Sequence, residues 1–434
     1  MTWTLSSFSN CYYRSVIRWD KNCITFSKEI AASMTLTRYA EIKRHVKLCV
    51  NGIAPKRGER NYNPAYKYDL IYKAIVFITN SIAHKADENQ IIDETTWGHR
   101  GFGESGIGLT GRLRNKKVSK GGQTVLMMDR HRLRLRAYMH RTKIYDELYE
   151  DKKNGWTRNG PFELKCLADK LLQMVDGEEG HIKKLFRKKP TITADNYFQS
   201  DAIMEYLGEK GLGGIMTSGR NYLPKDIKSE YLLKLKTDPA NKYSKIARFA
   251  EPIVAVKNDP QGKWQRCHVS FQSTSSCNIS TVNALNEVFN YVELRERGRA
   301  DGKRKWVIEM NHARMLYLST YNGIDVLDHL LKNARLFYRT WKYWHAPKNH
   351  ALAIAVSVAY DIYCEVGEGK LHPDWKIDKP ISRWEFQRKL SMQALTYSPK
   401  KLMYPGDEFF RANTSIPRAN RVSGPSRGGA NFKS

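Results

Sequence analysis

The stretch YNGIDVLDH, from Tyr321 to His329, decides how the rest of this chain is interpreted. Asp325 and Asp328 stand three residues apart, so on a helix both carboxylates lie on one face. The apolar residues that keep the same helical period beside them are Ile324, Leu327, Leu331 and Ala334. The pattern fits a carboxylate site, and it fits equally well the solvated face of a surface helix.

Basic and aromatic residues continue from this stretch toward the C-terminus. The polar face of the same helix carries three cations, Lys332, Arg335 and Arg339. Cations toward the end of a helix are favoured by its macrodipole. The segment FYRTWKYW at 337–344 follows, and its Trp341, Tyr343 and Trp344 could stack on unpaired bases. Core packing of at least one of these aromatic residues is the favoured alternative.

The charge balance of the chain points to a polyanionic partner. There are 73 Lys and Arg residues against 44 Asp and Glu residues, a formal net charge of +29 over 434 residues. Nucleic acid is favoured over a membrane surface because no amphipathic helix with a basic face is evident. The longest apolar run, 351–364, is too short to cross a bilayer and contains Asp361. We expect no membrane-spanning segment and no secretory signal.

Seven cysteines are scattered through the sequence without the spacing of a disulfide framework. We therefore expect reduced thiols in an intracellular compartment. Cys267, His268 and Cys277 could suggest zinc, but no paired C-x-x-C exists, so ordinary packing is expected. The G-x-G-x-x-G match at 101–106 precedes no helical run and is expected to be a loop.

Short strand patterns alternate with helical patterns along the chain. The predicted strands are 90–94, 124–129, 132–139, 191–194, 213–217, 253–256 and 264–271. The predicted helices are 36–49, 71–82, 164–175, 199–210, a long helix from 321, 350–364 and 381–395. This mixed order predicts an α/β fold with a mixed sheet and flanking helices.

Three acidic residues are placed so that such a fold could bring them together. Asp93 and Asp195 are predicted to end strands, and Asp325 opens a later helix. Carboxylate oxygens are the ligands that Mg²⁺ and Mn²⁺ prefer, and two such ions about 3.5–4 Å apart can drive an in-line phosphodiester displacement. With 44 acidic residues many such triples exist, so spacing alone does not select this one.

A basic run, RHRLRLR at 130–136, coincides with the third predicted strand. Its cations Arg130, Arg132 and Arg134 are candidates for contacts with phosphates. The alternative is a strand with one solvated basic face, and the two interpretations are compatible.

Five blocks of the sequence resemble, in the same order, segments of the piggyBac-type transposases. IIDETTWGHRG at 91–101, which contains Arg100, resembles their DE…G-R-G segment, and TADNYFQS at 193–200 resembles their D-N-[WF]-[FY]-T-S segment. GGIMTSGRNYLP at 213–224 resembles their G-T-x-R-x-N-x-x-x-P strand and loop. YNGIDVLD at 321–328 resembles Y-N-x-x-x-G-V-D-x-L-D, and WKYW at 341–344 resembles their Arg/Lys-Trp-Trp segment.

This resemblance implies an RNase H-like catalytic domain that is split by an insertion domain. It assigns metal binding to Asp93, Asp195 and Asp325, a further catalytic role to Asp328, and two Mg²⁺ or Mn²⁺ ions as cofactors. Such enzymes cut double-stranded DNA at transposon ends, pass through a hairpin on the excised DNA and join it to TTAA targets. The resemblance also implies a homodimer and a nuclear location.

The expected domain organisation follows from the resemblance together with the element pattern. It consists of a poorly ordered N-terminus (1–33), a helical N-terminal domain (34–89), the first part of the catalytic domain (90–217), an insertion domain (218–319), the second part of the catalytic domain (320–400) and a basic, disordered tail (401–434).

The sequence also departs from the piggyBac pattern. No cysteine follows Cys364, so the C-terminal cysteine-rich zinc-binding domain of the family is not expected. The segment before Asp93 is short, and the Asn-x-x-x-Gly spacing is contracted to Asn322 and Gly323. The alternative hypothesis is therefore a domesticated or decayed, transposase-derived DNA-binding protein without catalytic activity.

Overall fold

A mixed sheet of nine strands organises the part of the chain that this computed structural model describes. The described residues are 35, 37–38, 54–82, 86–99, 108–113, 120–153, 155–173, 185–186, 188–219, 253–272, 276–284, 289–295, 305–333, 344–368 and 379–396. Most of the helix predicted at 36–49 lies outside them.

The sheet is built from strands that are distant in the sequence. They are β1 (Asn89–Gly98), β2 (Gly111–Arg112), β3 (Lys120–Asp129), β4 (Leu135–His140), β5 (Thr191–Ala194), β6 (Gly213–Thr217), β7 (Ile253–Asn258), β8 (Gln265–Gln272) and β9 (Ser276–Val282). Eight of them lie side by side in the order β2-β3-β1-β5-β6-β9-β8-β7, and β4 pairs with β3. A separate antiparallel pair consists of β10 (Phe289–Arg295) and β11 (Lys305–Asn311).

Both kinds of strand pairing occur at the centre of the sheet. β1 pairs antiparallel with β3 and parallel with β5, and β5 pairs parallel with β6. The next pair, β6 with β9, is antiparallel again. The predicted α/β class with a mixed sheet is therefore confirmed, whereas its division into an RNase H-like domain and an insertion stays a prediction.

Helices cover both faces of the central strands. They are α1 (Tyr66–Ile82), α2 (Tyr145–Leu148), α3 (Glu150–Lys153), α4 (Asn159–Gln173), α5 (Asp201–Glu209), α6 (His312–Thr320), α7 (Gly323–Asn333), α8 (His345–Gly367) and α9 (Arg383–Thr396). Among these described helices, none is long and apolar enough to span a lipid bilayer.

The sheet separates two hydrophobic cores, because successive side chains of a strand point to opposite faces. Ile92 packs into a core with residues of α4 and α5, and its neighbour Ile91 packs into a core with residues of α1, α7 and α8. The side of the sheet that carries Ile92 is called the α4 face below, and the side that carries Ile91 is called the α7 face.

The first predicted strand is longer in the structure than the sequence pattern indicated. β1 continues four residues beyond Glu94 to Gly98, because Thr95 and Trp97 are β-formers that alternate into the core. Asp93 therefore lies in the middle of β1, and the prediction that it ends a strand was wrong. Asp195, in contrast, directly follows β5 as predicted.

The basic run at 130–136 is only partly a strand. β4 begins at Leu135, so Arg132 and Arg134 belong to the connection between β3 and β4. Arg136 lies on β4 and is fully buried, with its guanidinium bonded to both oxygens of Asp129 at 2.8 and 2.5 Å. The alternative of a strand with one solvated basic face was therefore wrong for this segment.

Three strands within 218–319, the range predicted as an insertion, extend the main sheet. β9 pairs with β6, β8 with β9, and β7 with β8. The predicted strands at 253–256 and 264–271 correspond to β7 and β8. The domain boundaries themselves stay a prediction.

Candidate functional site

Two of the predicted site residues are brought together by the parallel pairing of β1 with β5. Ile92 is in register with Ala194, so the next residues along the two strands, Asp93 and Asp195, are neighbours. At Asp195 the chain leaves the sheet, because its Oδ1 accepts a hydrogen bond from the backbone N–H of Tyr197 at 2.8 Å and closes a tight turn. Asp93 and Asp195 are about a hundred residues apart in the sequence, and the four residue pairs between β1 and β5 bring them together.

The third predicted residue, Asp325, lies on α7. This helix packs against the same face of β1 as Ile91. At the start of the helix, Gly323 is so close to Ile91 that an added Cβ would stand 2.5 Å from the Ile91 Cδ1 atom. One and a half turns later, Asp328 Oδ1 accepts a hydrogen bond of 2.5 Å from the Thr95 hydroxyl. Asp325 lies between these two contacts, as Asp93 lies between Ile91 and Thr95 on the strand.

The pKa of Asp93 is affected by the other acidic residues nearby. Burial raises its pKa to about 8, and the charges of Glu94, Asp195 and Asp325 act in the same direction. A hydrogen bond of 2.7 Å from the backbone N–H of Glu94 acts in the opposite direction. Within the described part of the chain, no lysine or arginine forms an ion pair with Asp93 or Asp325. Asp93 therefore stands in a local excess of negative charge.

Divalent cations suit this set of donors. Among the described residues, no three acidic, histidine or cysteine side chains are close enough to enclose a metal ion without moving. However, Asp93, Asp195 and Asp325 offer only carboxylate oxygens, which are the hard ligands that Mg²⁺ and Mn²⁺ prefer. A cation among them would also offset the repulsion that raises the pKa of Asp93.

The fourth predicted residue, Asp328, belongs to a hydrogen-bonded group that the sequence analysis missed. The Thr95 oxygen that bonds Asp328 also lies 2.9 Å from His350 Nε2. Thr95 could have been suspected, because it stands two residues from Asp93 and so shares its face of the strand. His350 lies on α8, far away in the sequence, and no local signal marks it.

Acidic residues on the α4 face are compensated by a partly buried arginine. Arg141 bonds both oxygens of Glu163 at 2.9–3.1 Å and lies 3.6 Å from a carboxylate oxygen of Glu94. The Tyr145 hydroxyl donates a further hydrogen bond of 2.8 Å to Glu163. This cluster was also missed, because Arg141 and Glu163 belong to no motif, although Glu94 does.

The predicted DNA contacts in the connection between β3 and β4 need correction. Arg134 is 3% exposed, and its guanidinium is paired with Glu365 and, at 3.8 Å, with Asp361 on α8. A contact between Arg134 and phosphate was therefore a wrong prediction. Arg132 is partly exposed and bonds Glu368 at 2.9 Å, and Arg130 is half-buried, so their DNA contacts stay predictions.

Most of the other predicted DNA contacts lie outside the described residues. This holds for Arg100, Arg335, Arg339 and Trp341, and for the side chain of Lys332. Trp344 is described: it precedes α8, packs against the core of the α7 face and stacks edge-on against His345 at 4.0 Å between ring centroids. Core packing, the alternative for at least one of Trp341, Tyr343 and Trp344, therefore applies to Trp344.

The expectation of ordinary packing is confirmed for Cys267 and His268. Cys267 is a buried free thiol, and His268 Nδ1 lies 2.7 Å from the Ser280 hydroxyl on the neighbouring strand. The side chain of Cys277 lies outside the described set.

Comparisons with known proteins identify the fold. No protein-family model matches this sequence, and no curated protein is significantly similar to it. Among solved structures, the chain resembles that of a piggyBac transposase in a synaptic complex with hairpin DNA, determined by cryo-EM. The two are 19% identical with a TM-score of 0.59, over 98% of this chain and 77% of the other. The protein thus shares the fold of a piggyBac transposase.

Proposed function

We propose that the protein is a piggyBac-like transposase that cleaves and joins double-stranded DNA with two Mg²⁺ or Mn²⁺ ions. One observation carries the proposal: Asp93 and Asp195 are neighbours on paired strands, and Asp325 faces them from α7 in a local excess of negative charge. The likeness in fold to a transposase in complex with DNA supports the same conclusion.

Each acid has a separate part in the proposed chemistry. Asp93, Asp195 and Asp325 hold the metal ions, and Asp328 anchors the helix that carries Asp325. When bound, the ions activate water or a 3′-hydroxyl and stabilise the leaving oxygen of an in-line displacement. Without them, the clustered carboxylates repel the DNA phosphate, so the protein is expected to bind DNA but not to cut it.

The net positive charge of the whole chain supports DNA as the substrate. A net charge of +29 attracts a polyanion, and such binding weakens as salt rises, because neutralised phosphates release their counterions. Cut-and-paste joining into TTAA sites, a homodimer and a nuclear location complete the proposal.

The test is metal-dependent nicking by the purified full chain. The substrate is terminal-repeat DNA taken from the flanks of the coding region, next to TTAA, with Mg²⁺, Mn²⁺ or EDTA. We expect wild type to nick it with either metal and Asp195→Ala to show no detectable nicking. Asp146→Ala, which removes an exposed carboxylate on α2, is the matched control and should nick like wild type.

Two results would overturn the catalytic proposal. One is equal nicking by wild type and Asp195→Ala, which would mean a contaminating nuclease or another site. The other is salt-sensitive DNA binding by wild type without nicking under either metal. That outcome would leave the alternative, a transposase-derived DNA-binding protein that has lost catalysis.

A further inference from the structure

A chain of buried hydrogen bonds leads from the core of the α7 face to Asp328. The Tyr72 hydroxyl on α1 lies 3.1 Å from His350 Nδ1, and His350 Nε2 lies 2.9 Å from the Thr95 hydroxyl. The Thr95 hydroxyl in turn lies 2.5 Å from Asp328 Oδ1. Tyr72, His350 and Thr95 are all buried. The group joins three separate elements, α1, α8 and β1, to α7.

Counting the donors and acceptors of each group shows that these hydrogen bonds all run in one direction. A carboxylate only accepts, so the single hydroxyl hydrogen of Thr95 is donated to Asp328. The Thr95 oxygen must then accept from the Nε2–H of His350. Burial lowers the pKa of His350 to about 3, so the ring is neutral and its other nitrogen accepts from the Tyr72 hydroxyl. Every donor in the chain therefore points toward Asp328.

The position of the chain links it to the proposed metal site. Thr95 stands two residues from Asp93 on the same face of β1, and Asp328 stands one helical turn from Asp325 on α7. The bond between Thr95 and Asp328 therefore ties the helix that carries one metal ligand to the strand that carries another. His350 fixes the orientation of the Thr95 hydroxyl, and Tyr72 fixes the tautomer of His350.

We propose that Thr95 and His350 are positioning residues, which hold Asp328 and thereby set the affinity of the site for divalent cations. This inference rests on the proposed function, because it assumes that Asp93, Asp195 and Asp325 bind metal. Outer groups that orient the residues of a metal site typically change metal affinity by about 10- to 100-fold when they are removed.

A pair of substitutions at Thr95 separates the hydroxyl from the shape of the side chain. Thr95→Val keeps nearly the same shape and loses the hydroxyl, whereas Thr95→Ser keeps the hydroxyl. Mn²⁺ binding to the full chain is followed by the electron paramagnetic resonance signal of free Mn²⁺, without DNA. We expect Thr95→Val to bind Mn²⁺ about 10-fold or more weakly. Thr95→Ser should bind it within about 3-fold of wild type, since its hydroxyl preserves the bond that Thr95→Val loses.

A second variant guards against a general loss of folding. Tyr72→Phe removes only the first donor of the chain, so its effect on Mn²⁺ affinity should be in the same direction and smaller than that of Thr95→Val. Thermal melts of each variant identify the folded fraction, and affinities are compared only for folded protein. If this series of hydrogen bonds had a purely structural role, the variants would have a lower melting temperature and an unchanged Mn²⁺ affinity.

The outcomes distinguish the inference from the function on which it rests. If wild type binds Mn²⁺ and Asp195→Ala does not, while folded Thr95→Val or Tyr72→Phe binds as tightly as wild type, the positioning role is overturned and the proposed function stands. If wild type binds no Mn²⁺, or Asp195→Ala binds it equally well, the proposed function is overturned together with the inference.

Discussion

The two faces of β1 treat neighbouring acidic residues in opposite ways. On the α4 face, Glu94 and the buried Glu163 share the guanidinium of Arg141. On the α7 face, Asp93 has its pKa raised to about 8 by burial and by nearby carboxylates, and no described cation pairs with it. Of two adjacent residues on one strand, Glu94 thus shares a described cation and Asp93 does not.

This difference teaches which acidic cluster is structural and which is a candidate for chemistry. A buried carboxylate that is paired and hydrogen-bonded is satisfied by the fold alone. A group of carboxylates without a counter-charge costs stability, and such groups concentrate at sites that bind something else. The comparison therefore favours Asp93, rather than Glu94 or Glu163, as the candidate metal ligand.

The largest expected effect comes from removing the cation of the α4 face. Arg141→Met leaves Glu163 fully buried without its counter-charge, so the free energy of unfolding should fall by about 3–5 kcal/mol. Urea denaturation of the metal-free protein measures this change. Arg57→Met is the matched control, because the ion pair of Arg57 with Glu147 is exposed to solvent and should contribute far less. Similar losses in both variants would mean that Arg141 does not neutralise a buried cluster.

The next effect tests the close approach of α7 to β1. Gly323→Ala places a methyl group 2.5 Å from the Ile91 Cδ1 atom, so we expect the free energy of unfolding to fall by about 1–3 kcal/mol. Ile91→Val removes the obstructing atom. In the Ile91→Val background, the same alanine should therefore cost clearly less, as a double-mutant cycle would measure. Additive losses would contradict direct contact between the helix start and the strand.

A smaller effect is expected from pH on the α7 face. His350 is buried against the Tyr72 and Thr95 hydroxyls, and burial, with the nearby His140, lowers its pKa from 6.5 to about 3. Below pH 6.5 the unfolded chain takes up a proton at this residue and the folded chain does not, so stability falls as pH falls toward 3.

Between pH 7 and pH 5.5 this residue should account for a loss of about 1 kcal/mol in the free energy of unfolding. Urea denaturation of wild type and His350→Gln at both pH values, in EDTA, isolates the contribution as a difference. An equal pH dependence in the two proteins would mean that His350 is protonated in the folded state.

The smallest effect on stability is expected at Asp93 itself. Because its pKa is about 8, Asp93 is mostly neutral at pH 7 without metal, so Asp93→Asn should change the free energy of unfolding by less than about 1 kcal/mol. DNA nicking should nevertheless be lost. Glu163→Gln, which leaves the partly buried Arg141 without a full counter-charge, should destabilise the protein more. Equal destabilisation by Asp93→Asn and Glu163→Gln would mean that acidic residues on the two faces of β1 do not differ in how their charge is neutralised.

The sequence predicted those parts of the site that depend on local pattern. The β-forming segment 191–194 stops at an acid, and the structure has β5 followed directly by Asp195. The helical period beside Asp325 and Asp328 predicted α7, which buries Ile324 and Leu327 as expected. The prediction that Asp93 ends a strand was wrong because Thr95 and Trp97, two further β-formers, extend β1 beyond Glu94.

Other features depend on partners that are remote in the sequence, and no local pattern predicts them. The basic run at 130–136 looked solvated, yet Arg134 is buried by carboxylates of α8 more than two hundred residues away. His350 gave no signal either, because its role arises only when α8 packs across β1. Long-range pairing of charged and polar groups was therefore the limit of the sequence analysis.

The pairing of β1 with β5 also determines where the protein tolerates insertions and deletions. Ninety-two residues separate Gly98 from Thr191, and their number can vary while Asp93 and Asp195 stay side by side. A single deletion within Thr191–Ala194 would instead turn Asp195 to the other face of the sheet, because side chains alternate along a strand. Relatives are therefore expected to differ in the length of the connections between β3, β4, α4 and β5, but not inside this tetrapeptide.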